Sequence, residues 1–371
     1  MGKLEYIEIN NKEVEIKSEL TEDDSNFYTV LIGPNGSGKT KAFEKIIEKY
    51  NDEKNNQFSK IIFSSFTMFR RTIRKNAKDN IYISKFGSKT IKNEVCKMYL
   101  DLLFLNGKTN FRNLKELFTL LNLGQKITVD FSPINDIKKI ETKLKSDKIN
   151  NLIKKNSDKI NDLISNKIIK LKKNTYLNEI VNELGLQQNK NRDFEVKIFL
   201  NIIKIVKILL MLQYKNSVNN LENKDDCYLC IDGYRRNFCI YINEKGENDN
   251  NIRCEIDEIL KTAFEIMDIC NINYVKDLHF IDEDKTKKLS NLSSGEFAMF
   301  TRFIEIAKNL EDNSLVLIDE PEISLNPKWI YQFIYYLKKF FKNKKSHFII
   351  ASQSPFIIGS VKKEEIIKIK D

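Results

Sequence analysis

The sequence predicts an α/β fold, a mostly parallel sheet with flanking helices that is interrupted by a mainly helical insertion. Three observations predict it. A strand pattern over residues 27–32 (FYTVLI) runs through a glycine-rich turn into an amphipathic helix. Strand and helix patterns alternate again from residue 277 onward. Between them, from about Thr90 to Leu221, apolar residues recur at helical spacing.

Taken in order, residues 4–9 read as a first strand and 27–32 as a second. After the turn, Phe43, Ile46, Ile47 and Tyr50 fall at i, i+3, i+4 and i+7, one buried helical stripe. Lys60–Ser64 is a short strand, with another over Ile81–Ile83. In the middle, Ile137, Ile140 and Leu144 form one stripe, and Leu152, Ile153, Ile160, Leu163 and Ile164 the next. The run 199–212 is apolar nearly all round, as a buried helix is. A hairpin is expected over 227–242 around Arg235–Asn237, then a helix over 255–270 and a strand near 277–281. A helix follows from Gly295 to about Leu310, a buried strand over 314–318, a helix from Pro327 to about Phe341, and a strand over 347–351. Pro327 suits a first helical turn, where its missing N–H has no intrahelical partner.

The 371 residues are 41% hydrophobic and 31% charged, which fits a folded globular chain. No apolar run reaches the roughly 20 residues that span a bilayer. The opening MGKLEYIEIN has no signal-peptide core, and Tyr6 stands where a myristoylation site needs Ser or Thr. The expectation is a cytoplasmic protein without a membrane segment.

Six cysteines (Cys96, Cys227, Cys230, Cys239, Cys254, Cys270) are expected as reduced thiols. Cys227 and Cys230 make a C-x-x-C, but no second pair completes four zinc ligands, and in a strand they would face opposite ways. Small residues in a hairpin is the preferred reading. His279 and His347 both fall in strand patterns and are expected to pack rather than react.

The net charge of +10 is uneven. Residues 138–173 hold twelve Lys against three Asp and one Glu, and Arg70, Arg71, Arg74, Lys75 and Lys78 form a second cluster. Such patches can contact a phosphate backbone. The competing reading is a solvated helix face, since the whole chain is rich in Lys, Asn and Ile.

Gly33-Pro34-Asn35-Gly36-Ser37-Gly38-Lys39-Thr40 matches G-x-x-x-x-G-K-[ST], between a strand and an amphipathic helix. Its glycines let backbone N–H groups turn toward a phosphate, and the helix adds its positive dipole end. Lys39 is expected on the β- and γ-phosphates of ATP, and the Thr40 hydroxyl on Mg²⁺. The strand SLVLIDE (314–320) then delivers Asp319 to the metal and Glu320 to the attacking water as general base.

Leu292-Ser293-Ser294-Gly295-Glu296 lies just upstream and resembles the signature motif of ABC-type ATPases. Ser324-Leu325-Asn326-Pro327 is similar to their D-loop. FIIASQSP (348–355) is similar to the switch segment of the Rad50, SMC and OLD-like (AAA_21-type) group. The resemblance covers both ends of the chain. It implies an ABC-type head of the P-loop NTPase fold, with a central mostly parallel sheet and an antiparallel β subdomain. Residues 1–89 and 226–371 would be its lobes, and 90–225 the insertion. ATP would be shared between two heads, with Ser293 and the Gly295 N–H gripping the γ-phosphate across a head-to-head dimer or higher oligomer. Gln353 stands where the family carries histidine; an amide can hydrogen-bond there but cannot take a proton, which implies slow hydrolysis. The stretch 64–69 (SSFTMF) is the candidate Q-loop.

Lys39 and Asp319 are 280 residues apart, far more than in transporter heads, yet the insertion is too short for the SMC or Rad50 coiled coil. The compact form looks like the stand-alone ATPases of anti-phage defence systems, such as Septu and some retron- or PARIS-associated modules. That resemblance implies a separate effector, such as an HNH or other nuclease. The alternative is a RecF- or SMC-like repair ATPase that clamps DNA.

Overall fold

The computed structural model describes residues 3–16, 25–52, 57–65, 80–84, 91–104, 117–124, 126–130, 228–232, 264–265, 268, 275, 277–282 and 285–369. The expected stripes of residues 137–164, the run 199–212, the turn at 235–237 and most of the helix over 255–270 lie outside them.

The chain forms two compact units, one of Met1–Leu102, Asn106–Asn122 and Asn291–Asp371, the other of Leu103–Leu105 and Leu123–Ser290. The first is built on a six-stranded parallel sheet. Its strands are β3 (Phe27–Ile32), β4 (Ile61–Ser65), β5 (Ile81–Ile83), β10 (Leu315–Asp319), β11 (His347–Ser352) and β12 (Ile366–Lys368), in the order β12-β3-β11-β10-β4-β5. Every residue of β10 is buried, as its unbroken apolar run requires of a central strand covered on both faces. The α/β expectation holds.

The two faces of this sheet carry different layers. On one, helix α1 (Lys39–Asp52) and the hairpin of β1 (Tyr6–Ile9) and β2 (Lys12–Glu15) cover Leu31, Phe63, Leu317 and Ile349 with Phe43, Ile47, Ile7 and Ile9. The hairpin itself was not anticipated beyond its first strand. Its turn is Asn10-Asn11, both with positive φ (50° and 62°), the two-residue geometry that joins twisted antiparallel strands.

On the other face, helices α3 (Ser294–Asn309) and α4 (Pro327–Phe340) bring an aromatic cluster. Phe303 stands edge-on to Phe333 and Phe340, and Phe341 stacks on Phe348, which stacks on Tyr28. Truncating a fully buried ring such as Phe303 costs about 3–5 kcal/mol. Helix α4 starts as its sequence predicts, with the Asn326 side chain accepting from the Trp329 N–H and Pro327 in the first turn.

Sequence patterning set the insertion at 90–225; the compact units divide differently. Helix α2 (Ile91–Phe104) falls in the first unit up to Leu102, since Val95, Tyr99 and Leu100 are buried and Tyr99 packs with Phe118 and Phe300. The second unit holds an antiparallel sheet of β6 (Lys126–Asp130), β7 (Tyr228–Asp232), β8 (Asp277–Asp282) and β9 (Lys285–Lys288), ordered β7-β6-β8-β9. So β6 is a strand inside the stretch expected as helical, with Ile127 and Val129 buried at period two. Because β8 and β9 belong to this sheet, the unit extends to Ser290.

Candidate functional site

The phosphate loop leaves β3 at its C-terminal edge, where ligands of parallel sheets collect. Gly36 and Gly38 sit at φ +84° and +89°, which L side chains rarely adopt. Gly38 is doubly constrained, because a Cβ there would lie 2.5 Å from the Asn10 side chain. Asn10 in turn donates to the Ser37 carbonyl at 3.3 Å, so the hairpin turn braces the loop.

Lys39 is nearly buried and folded over this loop. Its Nζ donates to the carbonyls of Gly33 and Pro34, both at 2.7 Å, and to Ser37 Oγ at 3.3 Å. An ammonium held by carbonyl oxygens at the mouth of an N–H-lined loop is poised to exchange them for phosphate oxygens.

Thr40 Oγ1 donates to Asp319 Oδ2 at 2.8 Å. Asp319 is fully buried, and its Oδ1 has no hydrogen-bond partner. Burial pushes its carboxyl up to about 6, opposed by the Thr40 hydrogen bond and Lys39 and assisted by Glu320 and Glu322. A buried, unsatisfied carboxylate oxygen beside a hydroxyl, with further carboxylates adding negative charge, is the donor set that a hard divalent cation fits. Among the described residues no three His, Cys, Asp or Glu side chains converge as a self-sufficient metal cage. A cation here would need nucleotide phosphates or water to complete its shell.

Glu320 follows directly, at φ +44°, with its N–H donating to the Ala351 carbonyl at 2.8 Å. A non-glycine residue in that region costs of order 1–3 kcal/mol and persists where the surroundings impose it. The strain turns the chain out of β10 right after Asp319.

Sequence reasoning missed three charged groups in this region, Glu322, Arg302 and Glu305. Glu322 Oε1 accepts from the Gln353 N–H at 2.8 Å, which ties the switch segment to the chain beyond β10; Glu322 Oε2 is buried with no hydrogen-bond partner. Arg302, fully buried on α3, donates to the Pro321 carbonyl at 3.0 Å. Desolvation lowers its guanidinium to about 10, against the pull of Glu305, Glu322 and Asp319, so it stays charged at neutral pH. Glu305 accepts from Tyr82 at 2.6 Å and Ser64 at 3.2 Å, and burial raises it to about 7. Arg302 and Glu305, charged residues three apart in the apolar middle of the helix, were the available signal.

Of the predicted residues, the fold brings Gly33, Pro34, Ser37 and Lys39 together, joins Thr40 to Asp319, and puts Glu320 beside them. Asn35 and Gly36 form the loop's turn. Gln353 is exposed, held through its backbone. Ser293 caps α3: its Oγ accepts from Glu296 N–H at 3.3 Å, while Glu296 Oε2 accepts from the Ser293 N–H at 2.8 Å. The Ser293 hydroxyl keeps its own proton to donate. Gly295 sits where a Cβ would lie 2.7 Å from the Ser324 carbonyl and 3.3 Å from the Trp329 ring. A glycine at 295 is thus needed for the close pass of the chain at Ser324, which is at φ +68°.

His347 packs, as expected. Its Nδ1 accepts from the Leu4 N–H at 3.1 Å and its Nε2 lies 2.9 Å from Thr29 Oγ1. The basic segments 70–78 and 138–173, Cys227 and residues 66–69 of the candidate Q-loop lie outside the described residues. No described helix is long and apolar enough to cross a membrane.

No curated protein matches the chain. A family profile described as "AAA domain, putative AbiEii toxin, Type IV TA system" matches residues 101–359, well over half of the chain. The match contains Ser293, Gly295, Asp319, Glu320 and Gln353 and begins after the phosphate loop. The six-stranded parallel sheet, the loop at its edge and this match agree: the chain belongs to that AAA-domain family of P-loop ATPases.

Proposed function

We propose that the chain binds ATP with Mg²⁺ and hydrolyses it, working as a pair of heads. The observation that carries this reading is the Thr40–Asp319 contact with Glu320 next in sequence. One short span provides a metal-facing hydroxyl, a metal-facing carboxylate and a base. Lys39 gives up its loop carbonyls to bind the β- and γ-phosphates. Thr40 and Asp319 are the residues that would hold Mg²⁺, which would offset the triphosphate's charge. Glu320 accepts the proton of the attacking water, and Gln353 orients that water or the γ-phosphate by hydrogen bonding alone. Ser293 and the first turn of α3 grip the γ-phosphate of the partner head.

In this reading the ATPase regulates a separate effector, such as a nuclease, in anti-phage defence. The family description and the resemblance to compact defence ATPases support it. Glu320→Gln tests the chemistry: the amide keeps shape but not basicity, so ATP still binds, hydrolysis falls about 100-fold or more, and closed dimers accumulate. A variant hydrolysing ATP at the parental rate would remove Glu320 from the mechanism.

A further inference from the structure

Among the described residues, four large hydrophobic side chains are exposed: Tyr6, Tyr331, Tyr335 and Phe356. They fall in two places of opposite charge. On α4, Lys328, Tyr331, Tyr335 and Lys339 follow one another at spacings of three and four, a single exposed helix stripe. The helix contains no acidic residue, and Lys339 Nζ lies 5.9 Å from the Tyr335 ring centre. Phe356 is exposed on the 3₁₀ segment Pro355–Ser360, which packs beside α4. The Tyr331 ring lies so close to Gly359 there that no Cβ would fit.

The second place is the outer face of the β1–β2 hairpin. Tyr6 stands opposite Glu15 and Glu8 opposite Glu13, all four exposed, while Ile7 and Ile9 point into the core. Two glutamates directly across a strand pair repel. Lys45 bridges Glu8 at 2.7 Å, and Lys12 stands at the turn end of the hairpin. Even so, residues 5–15 hold four glutamates against one lysine.

We infer that the basic aromatic stripe of α4 docks on the acidic, tyrosine-bearing hairpin face of a second copy of this chain. Charge complementarity chooses the occupant: the stripe is cationic and carries Tyr331 and Tyr335, and the hairpin is anionic and carries the exposed Tyr6 ring. The hairpin and α4 lie on opposite faces of the six-stranded sheet, so the two surfaces of one chain cannot meet. The contact is head-to-tail, and it propagates to a ring or filament rather than closing as a two-fold pair. It is independent of nucleotide and separate from the ATP-dependent pairing proposed above.

Sedimentation velocity on the full chain tests this over a concentration series, without nucleotide and in a Lys39→Ala background. The expected result is a mass that rises beyond a dimer with concentration and falls with added salt, as screened charge pairs require. Lys328→Glu with Lys339→Glu abolishes the rise, and so does Glu13→Lys with Glu15→Lys. Mixing the two reversed proteins restores it, since each then offers the surface that the other needs. That recovery also shows that both variants are folded. A chain that stays monomeric throughout, reversals without effect, or a mixture that fails to assemble would overturn the inference. So would a stripe that binds single-stranded DNA while the chain does not self-associate.

Discussion

Thr40 Oγ1 and Asp319 Oδ2 meet at 2.8 Å although 279 positions separate them in the chain. The contact joins the end of the phosphate loop to the end of β10, which lies one strand removed from β3 across β11. The contact depends on the register of β10 with β11, where Asp319 faces Ala351, and with β4, where it faces Ser65.

Glu322 is expected to set the switch segment. Glu322→Ala leaves the Gln353 N–H without its 2.8 Å acceptor. A hydrogen bond to a charged group contributes about 1.5–3 kcal/mol, so kcat should fall roughly tenfold or more. ATP affinity, read by calorimetry, stays near parental. Equal losses in affinity and kcat would mean that Glu322 supports the loop rather than the switch.

Gly295→Ala places a methyl 2.7 Å from the Ser324 carbonyl. A backbone atom cannot swing aside as a side chain would, so the segment around Ser324 must shift. The expected outcome is nearly unchanged ATP binding by one head and loss of paired-head hydrolysis, measured by phosphate release. Parental turnover in this variant would show that the close pass has no bearing on the site.

His347 makes the fold sensitive to acid. It is buried as the neutral imidazole, and desolvation, helped by Lys3, lowers it to about 3 from an ordinary 6.5. Below pH 6.5 the unfolded chain takes up a proton that the folded chain refuses. The contribution is therefore complete above that pH and is lost as pH falls, by about 2 kcal/mol at pH 5. Glu305 and Asp319, raised by burial, act in the opposite sense as pH rises, so the comparison must be with His347→Gln. Urea denaturation at pH 7 and pH 5 should show the parental advantage over that variant shrinking by about this amount. A constant difference would show that His347 is protonated in the fold.

Much of the first unit was legible because its signals are local. FYTVLI, SLVLIDE and HFIIAS each announce a buried strand, and the G-x-x-x-x-G-K-[ST] loop fixes its own place between a strand and a helix. Pro327 marks a helix start by chemistry that needs no neighbours. What stayed hidden depends on partners far away in sequence. Arg302 reads as one more helix-face charge until the Pro321 carbonyl arrives above it, and Glu322 as a loop acid until Gln353 docks. Strand β6 falls inside the stretch expected to be mostly helical, because KITVD is too short to separate the two periods. Its pairing partners, β7 and β8, come from about 100 or more positions later in the chain.

The central claim is that the loop from Gly33 to Thr40 binds the phosphates of ATP through Lys39. Isothermal titration of ATP with Mg²⁺ into the full chain, and into Lys39→Ala, tests it most directly. The account predicts saturable binding by the parent and a loss of about 100-fold or more in the variant, the loss of a charge-assisted contact to phosphate. Equal affinity in the two proteins would contradict it.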